Sequence, residues 1–113
     1  MHPSQALAAL DRQLACHGQT IRLRRGAAST PTATACLRAH VRRSRTDELA
    51  GDVAQAFSTV ILSPSGLAAQ RWPACELRRG DFITIDGRLC HVEAVEALKI
   101  GDTVVRIEVQ AKG

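Results

Sequence analysis

The chain has 113 residues, and only 29 of them are large apolar side chains (Leu, Ile, Val, Phe, Met or Trp) that can build a core. That supply fits one small domain over residues 1–113 and fits a two-layer enzyme with a deep cleft poorly. No apolar run approaches the roughly 20 residues of a membrane helix, and the N-terminus lacks the pattern of a signal peptide. We therefore expect a protein of the cytoplasm, or of something assembled there, with no membrane partner.

Charge is distributed unevenly along the chain. Residues 1–45 hold eight arginines and one aspartate, a formal charge of +7, whereas residues 46–113 have a formal charge of −3. Such polarity favours docking against a complementary surface, because both protein and nucleic-acid partners use long-range electrostatic steering. Charge alone does not choose between these two classes of partner.

The first predicted element is an amphipathic helix over residues 4–17. Ser4 is a suitable N-cap, leucines recur with helical spacing, and Gly18 can end the helix. Residues 20–25 then alternate apolar and basic side chains, which predicts a half-buried strand. Residues 26–34 are small, polar and contain proline, which predicts a loop.

A second alternating segment, residues 36–43, predicts a strand with one basic face. The segment that follows, residues 43–54, is rich in charge and poor in apolar anchors, so burial cannot offset its ordering entropy. We predict a mobile loop there. A loop of about a dozen residues in so small a domain is commonly functional.

The next segment predicts a strand, a short helix and a corner. Residues 57–62 are mostly apolar, which is typical of a strand that becomes buried on both faces toward its end. Ser63 can cap a short helical turn over residues 64–70. Trp72-Pro73 then predicts an extended corner, because the residue before proline is disfavoured in the helical region.

The last part of the chain predicts a meander of three strands. Asp86-Gly87 lies between two alternating apolar runs, the signature of a two-residue hairpin turn. The apolar phase changes after Val92, which indicates either a bulge near Glu93-Ala94 or burial of both faces. A second turn over residues 99–102 leads into a final strand. The apolar side chains expected to face inward on that strand are Val105, Ile107 and Val109.

Together these elements predict a mainly β fold. About six strands lack the strand-helix alternation of a parallel sheet. They favour a small antiparallel β-barrel or sandwich, with one N-terminal helix and a short helical turn near residues 64–70. The β core is expected over about residues 57–109, including Phe57 and Phe82.

Four cysteines and four histidines raise a metal hypothesis. The pairs Cys16-His17 and Cys90-His91 are adjacent, and neighbours on a strand point to opposite faces. Zinc sites instead use ligands roughly two to four residues apart, twice over. We therefore predict no metal and no cofactor. All four cysteines are expected to be small, reduced, buried residues, namely Cys16, Cys36, Cys75 and Cys90.

The sequence contains no phosphate-binding loop, no HExxH and no GxSxG motif. Asp81, Asp86 and Asp102 each lie beside a glycine, where aspartate is favoured for turn formation. We predict a protein that is not an enzyme and has no small-molecule substrate. The chain has few aromatic residues on which bases could stack. If it binds nucleic acid, its basic patch would therefore bind phosphates without sequence preference.

Several short features follow one another in order between residues 58 and 113. They are Ser63-Pro64 after a buried strand, the Trp72-Pro73 corner, Gly80-Asp81 before a strand, the Asp86-Gly87 hairpin and the VEAV run at 92–95. Their ordered combination resembles the small head-tail joining proteins of lambda-like tailed phages and prophages. The N-terminal helix and first strand are compatible with that family but carry no motif.

The resemblance implies a compact β-barrel with flexible loops, present in several copies at the portal end of a DNA-filled capsid. It implies a structural virion protein that completes the head after DNA packaging and gives the tail its docking surface. Its partners would be portal (connector) and tail proteins and copies of itself in a ring, first in the host cytoplasm and then in the virion. The alternative is a free-standing barrel module that binds nucleic acid or a peptide through its basic face.

Candidate partner-binding residues lie on the basic strand face and in the charged loop. They are Arg38, Arg42, Arg43, Arg45, Asp47, Glu48 and Asp52. The basic face can pair with an acidic connector, with the acidic second half of a neighbouring copy, or with DNA in the channel; an unused, solvated strand face is the alternative. The loop would become ordered only on assembly.

Overall fold

The protein is described by a computed structural model that covers residues 2–45 and 56–113. The elements are α1 (Pro3–His17), β1 (Gln19–Gly26), β2 (Pro31–Arg45), β3 (Ala56–Leu62), α2 (Pro64–Ala69), a 3-10 turn (Pro73–Cys75), β4 (Phe82–Ile85), β5 (Arg88–Ile100) and β6 (Thr103–Lys112). All paired strands run antiparallel, and the described part of the chain forms a closed barrel in the order β1-β2-β3-β6-β5-β4. The predicted mainly β fold is confirmed, as a barrel rather than a sandwich.

Alternate side chains of the strands fill the barrel. Val105, Ile107 and Val109 of β6 are buried, as predicted from their spacing. On β3, Val60 and Leu62 are fully buried and Ile61 between them is nearly so, which confirms burial on both faces. The largest fully buried side chains of the described residues are Ile21, Leu23, Leu62, Leu67, Ile83, Val60, Val92 and Val109.

The two helices lie outside the strands. In α2 the Ser63 hydroxyl accepts the Ser65 backbone N–H at 3.2 Å, which confirms the predicted cap, and Leu67 is fully buried in the core. In α1 the predicted cap is wrong. His2, not Ser4, caps the helix, and its ring nitrogen accepts the Ser4 N–H at 3.2 Å. The helix begins one residue earlier because Pro3 has a fixed φ suited to the first helical position.

The loop predicted over residues 26–34 is also wrong. β1 continues to Gly26 and β2 begins at Pro31, so only residues 27–30 connect them. Composition suggested a loop, but the small residues pair across the ladder, and the Thr32 hydroxyl donates to the Arg25 carbonyl at 3.0 Å. The ladder shifts register between Arg25 and Gly26, where the glycine has a φ of +91°.

The loop predicted over residues 43–54 begins too early. Arg43, Ser44 and Arg45 continue β2, and Arg43 pairs with Ser58 of β3. The ladder to β3 explains this, because it extends strand structure into a segment whose composition predicts a loop. Residues 46–54 of that loop lie outside the described residues.

The β4-β5-β6 meander follows the sequence prediction closely. Asp86 and Gly87 both have positive φ, 52° and 77°, as a type I′ hairpin turn requires. Val92 pairs with Ala111 and Ala94 with Gln110, so Glu93 is the extra residue of a bulge. The bulge at Glu93-Ala94 is therefore confirmed. Because of this extra residue, the side chain of Val95 faces inward, as that of Val92 does, and it packs against the core.

The cysteines and Phe82 differ from prediction. Only Cys90 is buried, whereas Cys16, Cys36 and Cys75 are exposed. Cys36 lies on the outward face of β2, and Phe82 lies on the outward face of β4 because its neighbour Ile83 faces the core. For these two residues, the face of the strand on which the side chain lies determines burial, even though cysteine and phenylalanine are usually buried residue types. Phe57 is half-buried.

Candidate docking surface

Arg38, one of the predicted partner-binding residues, supports the fold. Its Nη2 donates to the Gly18 carbonyl at 2.6 Å and to the Ala15 carbonyl at 3.4 Å, and its Nε donates to the Leu14 carbonyl at 3.4 Å. These carbonyls lie at the C-terminus of α1, where the helix carries partial negative charge, and the Leu14 carbonyl also accepts the Gly18 N–H at 2.9 Å. Arg38 therefore fastens the end of α1 to β2.

The other predicted residues of β2 point to different surfaces. Arg42 is exposed in the same outward phase as Arg38, whereas Arg43 has the opposite phase. Arg43 is exposed, and its charge, together with that of Arg88, partly opposes the rise that burial causes in the pKa of the Cys90 thiol. The side chain of Arg45 lies outside the described residues, as do Asp47, Glu48 and Asp52.

Arg42 lines a cleft of about 440 Å³ between α1 and the outer face of the barrel. The cleft has an apolar floor of Leu10, Leu14 and Ile61 and a polar rim of Gln13, His17, His40, Arg42 and Arg106. The described residues that line the cleft include two arginines and no carboxylate. Because Arg106 is paired with the neighbouring Glu108, Arg42 contributes most to the attraction of an anion at the opening. We call this feature the α1 cleft.

Helical and strand periodicity together build the α1 cleft. The residues from α1 follow one helix face at steps of three and four. On the barrel, His40 pairs with Ile61, so the two side chains lie next to each other on adjacent strands. Arg106 comes from β6, the strand on the other side of β3. Four separate elements therefore contribute to one depression.

Arg106 has unused hydrogen-bonding capacity at this surface. Its Nη2 forms an ion pair with Glu108 Oε1 at 3.0 Å. Its Nε is buried, and no described residue accepts a hydrogen bond from it. The buried Nε is out of a ligand's reach, whereas the Arg106 side chain as a whole is 42% exposed, so a ligand would meet the outer part of its guanidinium.

Sequence reasoning missed most of the α1 cleft. It found Arg42 through the basic phase of β2 but did not connect it with His17 or Arg106. The alternation of β6 does place Arg106 outside, opposite the buried Val105 and Ile107. Only the strand order brings it near Arg42, and no local signal reports that order.

A second charged centre lies on the other side of the barrel. Arg25 binds both carboxylate oxygens of Asp81, through Nε at 2.9 Å and Nη2 at 3.0 Å, and Nη2 also donates to the Glu76 carbonyl at 3.0 Å. The guanidinium lies 5.0 Å from the centre of the Trp72 ring, and Trp72 Nε1 donates to the same Glu76 carbonyl at 2.9 Å. We call this group the Arg25 cluster.

The Arg25 cluster is largely shielded from water. The side chains of Arg25 and Asp81 are 17% and 4% exposed. The hydrogen bonds that Arg25 donates to Asp81 raise the pKa of Arg25, against the opposing effect of burial. Asp81 also accepts the Arg78 backbone N–H at 2.8 Å, which is the turn role expected for it. The cluster thereby fixes the segment before β4 against β1.

Two further findings limit the kinds of site present. Within residues 2–45 and 56–113, no three His, Cys, Asp or Glu side chains are grouped so that they could hold a metal ion. Neither helix among these residues is long and apolar enough to cross a membrane.

No protein-family model matches the sequence, and no curated protein matches it significantly.

Proposed function

We propose that the chain is a structural virion protein that completes the head of a tailed phage after DNA packaging and joins it to the tail. The observation that carries this proposal is the ordered set of features between residues 58 and 113. In the fold they are consecutive caps and corners: Ser63 caps α2, Trp72 is buried in the Arg25 cluster, and Asp86-Gly87 turns β4 into β5.

The physical character of the barrel supports the same role. A closed sheet leaves few free strand edges, which suits a rigid adaptor packed among other proteins. The proposed partners are portal and tail proteins, further copies of the chain in a ring, and, without sequence preference, DNA in the channel. The proposed location is the host cytoplasm during assembly and then the head-tail junction of the virion.

In vitro completion of virions tests the proposal. Purified protein is added to DNA-filled, tailless heads together with free tails, and infectious particles are counted. We expect a dose-dependent gain over heads and tails alone, and no gain with heat-denatured protein. A titre that stays at the background level with folded protein contradicts the joining role.

A nucleic-acid-binding module is the second candidate, because arginines such as Arg22 and Arg42 are exposed on outward strand faces. It predicts a gel shift of DNA at moderate salt that weakens as salt rises, since bound phosphates release counterions. Arg42→Ala/Arg45→Ala should reduce the shift. An unshifted band for the folded wild-type protein excludes this candidate.

A further inference from the structure

The α1 cleft combines two kinds of surface that a ligand would have to match at once. Its floor is aliphatic, formed by Leu10 and Leu14 of the helix and Ile61 of the barrel. Its rim carries two guanidinium groups, from Arg42 and Arg106. A well-fitting ligand therefore has an apolar part for the floor and an anionic group for the rim.

The rim offers a directional contact as well as charge. The buried Nε of Arg106 has no acceptor among the described residues, and its Nη2 contacts only one carboxylate, that of Glu108, at 3.0 Å. Arg42 is exposed at the same rim. An added carboxylate would be held by the charge of Arg42 and could form a directional hydrogen bond with the exposed part of the Arg106 guanidinium, whose side chain is 42% exposed.

The apolar floor distinguishes between classes of anionic partner. A nucleic-acid backbone presents phosphates and sugars, and single strands that bind barrels gain affinity by stacking bases on aromatic rings. No Phe, Tyr or Trp lines the α1 cleft as described, and the two imidazole rings that do, His17 and His40, lie at its rim rather than on its aliphatic floor. A peptide with acidic residues next to a leucine or isoleucine instead supplies both the carboxylate and the aliphatic group. The chemistry of the cleft favours the peptide.

We propose that the α1 cleft binds an acidic peptide segment of a partner protein. An aliphatic side chain of that segment covers Leu10, Leu14 and Ile61, and an adjacent carboxylate binds between Arg42 and Arg106. The inference does not depend on the joining role, because it rests on the composition and geometry of the cleft alone.

The probe is a blocked Glu-Glu-Leu-Glu-Glu peptide, titrated into the full-length, isotope-labelled protein and followed by amide chemical shifts. We expect saturable shifts at residues of the cleft, among them Gln13, His17 and His40, with a dissociation constant of about 1 mM or tighter. Two matched peptides separate the contributions. Glutamine in place of glutamate, or alanine in place of leucine, should each weaken binding about tenfold.

Variants of the protein locate the site. Arg42→Gln should weaken binding of the glutamate peptide about tenfold. Arg22→Gln removes the same charge from an exposed position on β1 and should change the affinity by less than about twofold. Arg106→Lys keeps the charge but removes the planar guanidinium, and it should give an intermediate loss of affinity. Thermal unfolding of each variant establishes that the barrel is folded.

Three results would overturn the inference. The first is the absence of saturable shifts with the glutamate peptide. The second is an equal loss of affinity in Arg42→Gln and Arg22→Gln, which would indicate diffuse attraction to a basic surface. The third is a single-stranded oligonucleotide that binds the same residues and is not displaced by the peptide. None of these results bears on tail attachment, so the two proposals fail separately.

Discussion

The Arg25 cluster and the α1 cleft use the same side chain for different purposes. Arg25 donates to both oxygens of Asp81 and to the Glu76 carbonyl, and it lies against Trp72. Arg106 contacts one carboxylate and leaves a buried Nε without an acceptor among the described residues. An arginine whose donors are used by the fold holds segments together, whereas a partly exposed arginine beside a cleft, such as Arg106 with its side chain 42% exposed, is suited to attract a partner's carboxylate.

This contrast also divides the predicted binding face. Arg38 belongs with Arg25, because three carbonyls at the end of α1 accept its hydrogen bonds. Arg42 belongs with Arg106 at the α1 cleft. A run of arginines in the sequence is therefore not one surface, and substitutions should separate its members.

The largest predicted effect is on the Arg25 cluster. Asp81→Ala leaves a mostly buried guanidinium and the Arg78 N–H without their acceptor, so we expect the free energy of unfolding to fall by about 3 kcal/mol. Chemical denaturation measures it. Glu96→Ala, an exposed acid of β5, is the control and should change stability by less than about 0.5 kcal/mol. Equal effects of the two substitutions would show that the cluster is not structural.

A smaller effect is predicted for the aromatic partner of the cluster. Trp72→Phe keeps an aromatic ring near Arg25 but removes the Nε1 donor to the Glu76 carbonyl, so we expect a loss of about 1 kcal/mol. The same denaturation experiment measures it. A stability equal to wild type would mean that water or another donor replaces this hydrogen bond.

The two arginines on the outward face of β2 should differ in kind. Arg38→Ala removes the donors at the end of α1, and we expect it to cost about 1 kcal/mol and to speed amide hydrogen exchange in the last turn of that helix. Arg42→Ala should cost less than about 0.5 kcal/mol. If Arg42→Ala destabilises as much as Arg38→Ala, the division between structural and available arginines is wrong.

The cysteines provide a test that leaves stability unchanged. In the native protein Cys16, Cys36 and Cys75 are exposed, whereas Cys90 is 3% exposed and burial raises its pKa. Since the thiolate is the reactive form, a raised pKa keeps Cys90 unreactive to higher pH. Brief alkylation near neutral pH should add three groups per chain by mass spectrometry, and a fourth only after unfolding. Four groups under native conditions would contradict the burial of Cys90.

Local patterns in the sequence predicted the parts of the fold that local physics determines. The Asp86-Gly87 turn and the bulge at Glu93-Ala94 follow from turn preferences and from the apolar phase of a single strand. The segment over residues 26–34 was misjudged because its pairing partner, not its composition, makes it a strand. Its partners lie in β1 only a few residues earlier, but the small and polar side chains of the segment show no apolar alternation that would indicate the pairing.

The candidate site was less predictable than the fold, for a related reason. Strand alternation placed Arg42 outside, but it could not show that Arg38 reaches the end of α1 or that Arg106 approaches from β6. The exposure of Cys36 and the half-burial of Phe82 likewise depend on which face of a strand the neighbouring residues occupy. The chemistry of this surface arises from the barrel order and from the position of α1.

The central claim, that this barrel joins phage heads to tails, is tested most directly by disrupting its gene in the phage or prophage that carries it and viewing the lysate by electron microscopy. We predict DNA-filled heads without tails alongside complete, unattached tails, with joining restored when purified protein is added. Intact tailed particles in the lysate of the disrupted strain would contradict the claim.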